Sequence, residues 1–289
     1  RPPPLYTLFP YTTLFRSNTF IEELLLKTIA PAKKEVAQIT KYANTKGFKG
    51  ELMPWDFGYW SEQYKNEKYA INDQMLKPYF RLESVEKAIF SLADSLFGIT
   101  FNQNNTIPVY HNDVKVFEVR DASGKFISLL YVDYFPRESK RGGAWMTTFR
   151  DQFFFKGEEH RPFVSLVCNF TKPTENAPSL LTFNEFTTLL HEFGHALHGM
   201  LAEGNYPSLT GTNVVRDFVE LPSQIMENWA TESEFLKSFA KHYETGEDIP
   251  QELISKIIDA RNFLGGYSNV RQLTFRSEER RVGKECRSR

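Results

Sequence analysis

The residues of this chain best suited to chemistry are two histidines and a glutamate within one pentapeptide, His191-Glu192-Phe193-Gly194-His195. On a helix, residues four apart stand one above the other. His191 and His195 then aim two imidazole nitrogens at one point, a donor pair that suits Zn²⁺. Glu192 follows the first histidine and is placed to act on water there without binding the metal, the position of a general base in metal-assisted hydrolysis. The chain has six His and 36 Asp+Glu in 289 residues; chance would then produce H-E-x-x-H somewhere with a probability of roughly 2%. The plain alternative is a buried helix whose histidines are hydrogen-bonded.

That chemistry requires a helix, and the flanks predict one. Thr182-Phe183-Asn184-Glu185 reads as a capping box, Pro178 lies upstream and Gly204 closes the far end. Phe186, Leu189, Leu190, Phe193, Leu197 and Leu201 recur at three and four, the stripe of a helix buried on a wide face.

A hydrolytic zinc site needs a further protein ligand. The turn-rich Ser208–Asn213 loop is followed by a second helix starting near Phe218 to Glu220, because Pro222 is tolerated only in a first turn. Asp217, Glu220, Glu227 and Glu203 are the candidate acids, and spacing does not choose among them. Glu220 and Glu227 lie seven apart and share a face, and Val219, Ile225, Met226 and Trp229 around them predict burial. Asp217, Glu227 or a backbone carbonyl would take the second ring N–H of a ligand histidine. His198, seven after His191, is a candidate substrate-binding or outer-layer group, or simply a hydrogen-bonded histidine.

Upstream, residues 18–48 read as helix interrupted at Pro31, and 60–97 as helix broken at Pro78. Trp55, Phe57, Tyr59, Trp60 and Tyr64 read as packed core. Strand patterning begins after Gly98, with a hairpin turn at Asp121-Ala122-Ser123-Gly124 and a second strand set over 142–149 and 163–168. Gly142-Gly143 marks either a bulge or a strand edge approached by a peptide backbone.

Thr7–Ser17 and Arg276–Cys286 can be encoded by the two strands of a single oligonucleotide, and both resemble translated sequencing-library adapter. We therefore expect an artefactual leader at 1–17, a partial catalytic domain at 18–275 and an artefactual tail at 276–289. Within the catalytic part, 18–98 should be helical, 99–170 β-rich and 180–275 the zinc-binding helices. Cys168 is then the one cysteine outside those ends, so no intrachain disulfide is expected and nothing requires an oxidising compartment. The formal charge of -1 leaves no basic footprint for nucleic acid, and no run is long and apolar enough for a membrane span.

The stretch His191–Gly199, with Ser208–Asn213 and Arg216-Asp217-Phe218-Val219-Glu220-Leu221-Pro222-Ser223-Gln224, resembles the thimet-oligopeptidase-like (M3-type) zinc metallopeptidases, bacterial peptidyl-dipeptidase above all. Pro54-Trp55-Asp56, Leu76–Phe80, Lys140–Met146 and Val167–Pro173 carry the same likeness. The resemblance implies that His191, His195 and Glu220 bind one Zn²⁺ and that Glu192 is catalytic. It implies that substrate lies along Gly142, Gly143, Ala144 and Trp145. It implies a mainly α fold with a small antiparallel sheet beside the site (α+β, zincin-like), and a channel admitting short unstructured peptides. The expected activity is release of C-terminal dipeptides; the alternatives are an oligoendopeptidase of the same family or a catalytically incompetent zinc- or peptide-binding fragment. Family members are longer on both sides and carry a downstream Gly/Tyr-rich segment that contacts substrate, so activity far below that of an intact relative is expected. A cytoplasmic monomer is the expected setting.

Overall fold

The computed structural model describes residues 9–216 and 218–274. Its helices are α1 (Phe9–Thr45), α2 (Pro54–Tyr69), α3 (Asp73–Leu76), α4 (Leu82–Phe97), α5 (Phe183–Met200), α6 (Glu220–Glu227), α7 (Ser233–Phe239) and α8 (Gln251–Ala260). Between α4 and α5 run β1 (Ile99–Gln103), β2 (Lys115–Asp121), β3 (Phe126–Asp133), β4 (Trp145–Arg150), β5 (Phe153–Phe155), β6 (Glu158–His160) and β7 (Phe163–Val167). Among the described residues, no helix is long and apolar enough to cross a membrane. The chain forms two compact units, one from residues up to Ile71 with those from Asp259 on, the other from Asn72 to Ile258.

In the first unit α1 and α2 pack through Tyr42, whose ring lies 6.4 Å from Trp60 and 5.1 Å from Tyr64. Pro31 does not interrupt α1, contrary to the expectation. It removes one helical N–H, but buried Ala32, Ile39 and Ala43 hold the flanking turns by packing. The aromatic run on α2 is also not all core: Phe57 is buried, while Trp55 and Tyr59 are exposed. A helix cannot turn five closely spaced rings onto one face.

In the second unit five strands form a sheet in the order β1-β2-β3-β7-β4. The β2–β3 hairpin turns at the predicted site, with Asp121 Oδ1 accepting from the Ser123 and Lys125 amides at 2.9 Å each. The fold class is the expected one, but the sheet is mixed rather than purely antiparallel, since β3 and β7 run parallel. The chain leaves β3, passes through β4 and the β5–β6 hairpin, and returns between β3 and β4. That crossover makes β4 an edge strand.

Helix α5 lies on one face of this sheet. The side chains of Met146, Thr148 and Val164 come within 4 Å of where a Cβ on Gly199 would stand. Leu130, Val132, Val164 and Leu166 of the sheet and Phe186, Leu189, Leu190 and Phe193 of α5 are all essentially buried. Each such side chain contributes roughly 1.5–3 kcal/mol by leaving water, so the helix is seated by its apolar stripe and its polar face is free for the site.

Candidate metal and catalytic site

The predicted capping box starts α5. Thr182 Oγ1 accepts from the Glu185 amide at 3.1 Å, and Glu185 Oε2 accepts from the Thr182 amide at 2.8 Å. The helix ends at Met200, earlier than Gly204 suggested. At and just past its end Arg161 donates to Met200 O at 2.7 Å and Ala202 O at 3.1 Å.

Helix α6 begins where Pro222 required and crosses α5 at Gly194. A Cβ on Gly194 would stand 2.6 Å from Pro222 O and from Ser223 Cα, so only glycine allows this approach. The crossing delivers Glu220 to the histidines. Its Oε2 lies 3.3 Å from Nε2 of His191 and 3.3 Å from Nε2 of His195. Ser223 Oγ donates to the same Oε2 at 2.9 Å. One donor atom from each of His191, His195 and Glu220 lies within 4.8 Å of the others, the one such group among the described residues.

Two imidazole nitrogens and a carboxylate oxygen fit a divalent cation. Arms of about 2.0–2.1 Å at tetrahedral angles give donor separations of about 3.3 Å, the spacing of Glu220 from both histidines. Burial also pushes the His195 imidazole below its usual range, which keeps a nitrogen lone pair free. Behind His191, Glu227 Oε1 lies 2.6 Å from Nδ1.

Glu192 is not one of the three donors and is buried. Burial pushes its carboxyl above the usual range and the Glu220 charge adds to this, against the opposing pull of His191 and a hydrogen bond from the Met146 amide on β4. Cys168 lies close enough for Glu192 to add to the effect of burial in raising its thiol; a thiol so held is inert.

The other candidates fall in different places. Glu220 is half exposed and Glu227 only partly covered, unlike the burial expected of both; α6 buries Ser223 and Met226 instead, leaving Ile225 exposed. Asp217 lies outside the described residues. His198 is not part of the three-ligand group. It lines a separate apolar cavity of about 500 Å³ with Glu203, Leu209 and Ile225, and its Nδ1 is buried without a partner. Gly142 and Gly143 are exposed just before β4, and no atom lies within 4 Å of a Cβ built on either. Gly143 needs glycine for its φ of +93°; Gly142 has no such requirement, and the space beside it is open.

Sequence reasoning missed what holds this loop. Lys140, buried, donates from Nζ to Asp133 O at 2.8 Å, to Asp133 Oδ1 at 3.0 Å, to Phe135 O at 2.9 Å and to Cys168 O. From the other side Asn169 Nδ2 donates to Arg141 O at 3.0 Å and Gly143 O at 2.6 Å. The acceptors come from separate segments, so no spacing along the chain signals them.

The profile of peptidase family M3 matches residues 15–282. The chain is 41% identical over 249 residues to dipeptidyl carboxypeptidase of Escherichia coli K12, covering 86% of this chain and 36% of that protein. It is 39% identical over 258 residues to oligopeptidase A of the same organism, with 89% and 38% covered. It is 40% identical over 274 residues to the organellar oligopeptidase A of Arabidopsis thaliana, with 92% and 35% covered. The chain thus spans just over a third of the length of these relatives. With the profile running through the sheet and both site helices, the chain belongs to peptidase family M3.

Proposed function

We propose that this chain carries the metal and base machinery of a zinc peptidase acting on short peptides. The observation that supports this best is the convergence of His191, His195 and Glu220 within 4.8 Å beside the buried Glu192. His191, His195 and Glu220 would hold the ion, and Glu227 would orient His191 from behind. Zinc at this triad supplies Lewis-acid polarisation of a carbonyl and acidification of water. Glu192 would take a proton from the attacking water at its carboxylate oxygen and pass it to the amine as the peptide C–N bond breaks. The open edge of β4 beyond Gly142-Gly143, Ala144 and Trp145 receives the substrate backbone by strand addition.

Release of C-terminal dipeptides is the specific activity we favour, in keeping with the name of the Escherichia coli relative. The second reading, internal cleavage, is supported by the comparable identity to oligopeptidase A. The test is zinc stoichiometry of the full chain and its Glu220→Ala and Glu192→Gln variants, with product analysis on N-blocked peptides. One zinc per chain, lost in Glu220→Ala and kept in Glu192→Gln while hydrolysis stops, is the expected result. Absence of zinc from the unaltered chain, or zinc loss in Glu192→Gln, would overturn the assignment. Dipeptides from the C-terminus against internal fragments separate the two activities.

A further inference from the structure

The face of β4 turned away from α5 carries structure that metal chemistry does not use. Side chains alternate along a strand, so with Met146 and Thr148 toward α5, Trp145 and Thr147 project from the opposite face, and contact with Tyr131 places Phe149 there too. The register agrees: Tyr131 of β3, Ser165 of β7 and Thr147 of β4 lie side by side. Phe149 is at the irregularity between Thr148 and Arg150, the kind of bulge that re-aims a side chain. Its ring meets Tyr131 edge-on at 5.3 Å and Tyr110 at 6.0 Å, yet it remains 55% exposed.

This aromatic step is anchored. Tyr110 donates its hydroxyl to Asp133 Oδ2 at 3.0 Å, and the buried Asp133 is bonded in turn to Arg137 and Lys140. The Arg137 guanidinium lies 5.7 Å from the Tyr110 ring centre, and that of Arg141 lies 5.1 Å from the Trp145 ring centre. Two aromatic residues four apart on an edge strand therefore stand on either side of an exposed threonine, about 13 Å apart along the strand.

We propose that Trp145, Thr147 and Phe149 form a side-chain subsite that selects an aromatic residue of a peptide paired to β4. This rests on the reading that peptides add to this edge. An added strand continues the alternation, so every second residue falls on the Trp145–Phe149 face. The residue across from Thr147 has Trp145 and Phe149 as diagonal neighbours at about 7–8 Å, within reach of a large ring and beyond that of alanine. Ring edges and faces at that spacing reward an aromatic partner over an aliphatic one of similar area.

The test uses the full chain carrying Glu192→Gln, so that peptides bind without being cut. N-acetyl hexapeptides of alanine and threonine, with phenylalanine or glutamate moved through each position, are titrated calorimetrically, and amide exchange of β4 is followed. We expect phenylalanine at one position to tighten binding about tenfold. Phe149→Ala should remove that gain, and Thr147→Arg, which fills the slot, should remove it too. Phe149 is exposed, so its truncation leaves the core closed. Uniform affinity, a gain that survives Phe149→Ala, or a larger gain for glutamate drawn by Arg137 and Arg141 would each overturn the aromatic subsite. If the β4 amides are protected in those cases, strand addition itself still stands. Absence of both binding and β4 protection would overturn strand addition and the subsite with it.

Discussion

Glu227 Oε1 lies 2.6 Å from Nδ1 of His191, while Nε2 of the same ring lies 3.3 Å from Glu220 Oε2. Two acids seven apart on α6 thus approach opposite edges of one imidazole. An ionised Glu227 only accepts hydrogen bonds, so it holds the proton on Nδ1 and leaves the Nε2 lone pair facing His195 and Glu220. Removing such a partner typically weakens metal binding about 10–100-fold. We predict a loss in that range for Glu227→Ala, with the fold intact, measured by competition with a chromogenic chelator. Unchanged affinity would show that His191 is oriented by something else.

The α5–α6 crossing predicts a second effect. In Gly194→Ala the new methyl meets the backbone at Pro222 and Ser223 at 2.6 Å, where no flexible side chain can give way. Overpacking of this kind costs about 1–3 kcal/mol. Because α6 must move, and Glu220 with it, zinc affinity should fall together with stability. Denaturant melts and chelator competition on the same sample check this. Lowered stability with unaltered zinc binding would mean that α6 shifts without displacing Glu220.

Arg161 ties three segments together. Besides Met200 and Ala202, its guanidinium donates to Ile127 O at 2.8 Å and pairs with Glu159 at 2.7 Å. Arg161→Met leaves three carbonyls without their donor, a cost of about 3 kcal/mol at about 1 kcal/mol each. Lysine cannot span them, so Arg161→Lys should recover only a minor part. Urea unfolding midpoints of the two variants measure the difference, and equal stability of Arg161→Lys and the unaltered chain would contradict it.

Acid sensitivity should trace to Asp133. Burial pushes its carboxyl up, but the hydrogen bonds from Arg137 and Lys140 outweigh this and hold it below the usual carboxylate range. A depressed folded value means that the unfolded chain binds the proton more readily. The contribution is then fully present above the ordinary value of about 4 and is lost as pH falls through the lower folded value. Thermal melts between about pH 2 and pH 5 should therefore fall more steeply for the unaltered chain than for Asp133→Asn. Parallel curves would remove Asp133 from the acid response.

The helix that carries the site was legible because its signals are local. The Thr182–Glu185 box, the apolar stripe and the four-residue spacing of His191 and His195 are all set by helix geometry, which neighbouring residues alone satisfy. The same locality placed Pro222 in the first turn of α6 and the turn at Asp121–Gly124. Pro31 misled for the opposite reason, since packing along α1 outweighs one absent hydrogen bond.

The sequence by itself determined that two imidazoles share a helix face with a glutamate beside them, because covalent spacing and the helical repeat suffice for that. By spacing Asp217, Glu203, Glu220 and Glu227 are equivalent; the family resemblance alone pointed to Glu220, and the crossing at Gly194 is what carries that acid to the histidines. Strand order likewise depends on a long crossover, and it alone makes β4 an edge. The Lys140 clamp and the Tyr110–Tyr131–Phe149 step assemble from segments far apart in the chain, through contacts that exist only once the sheet has formed.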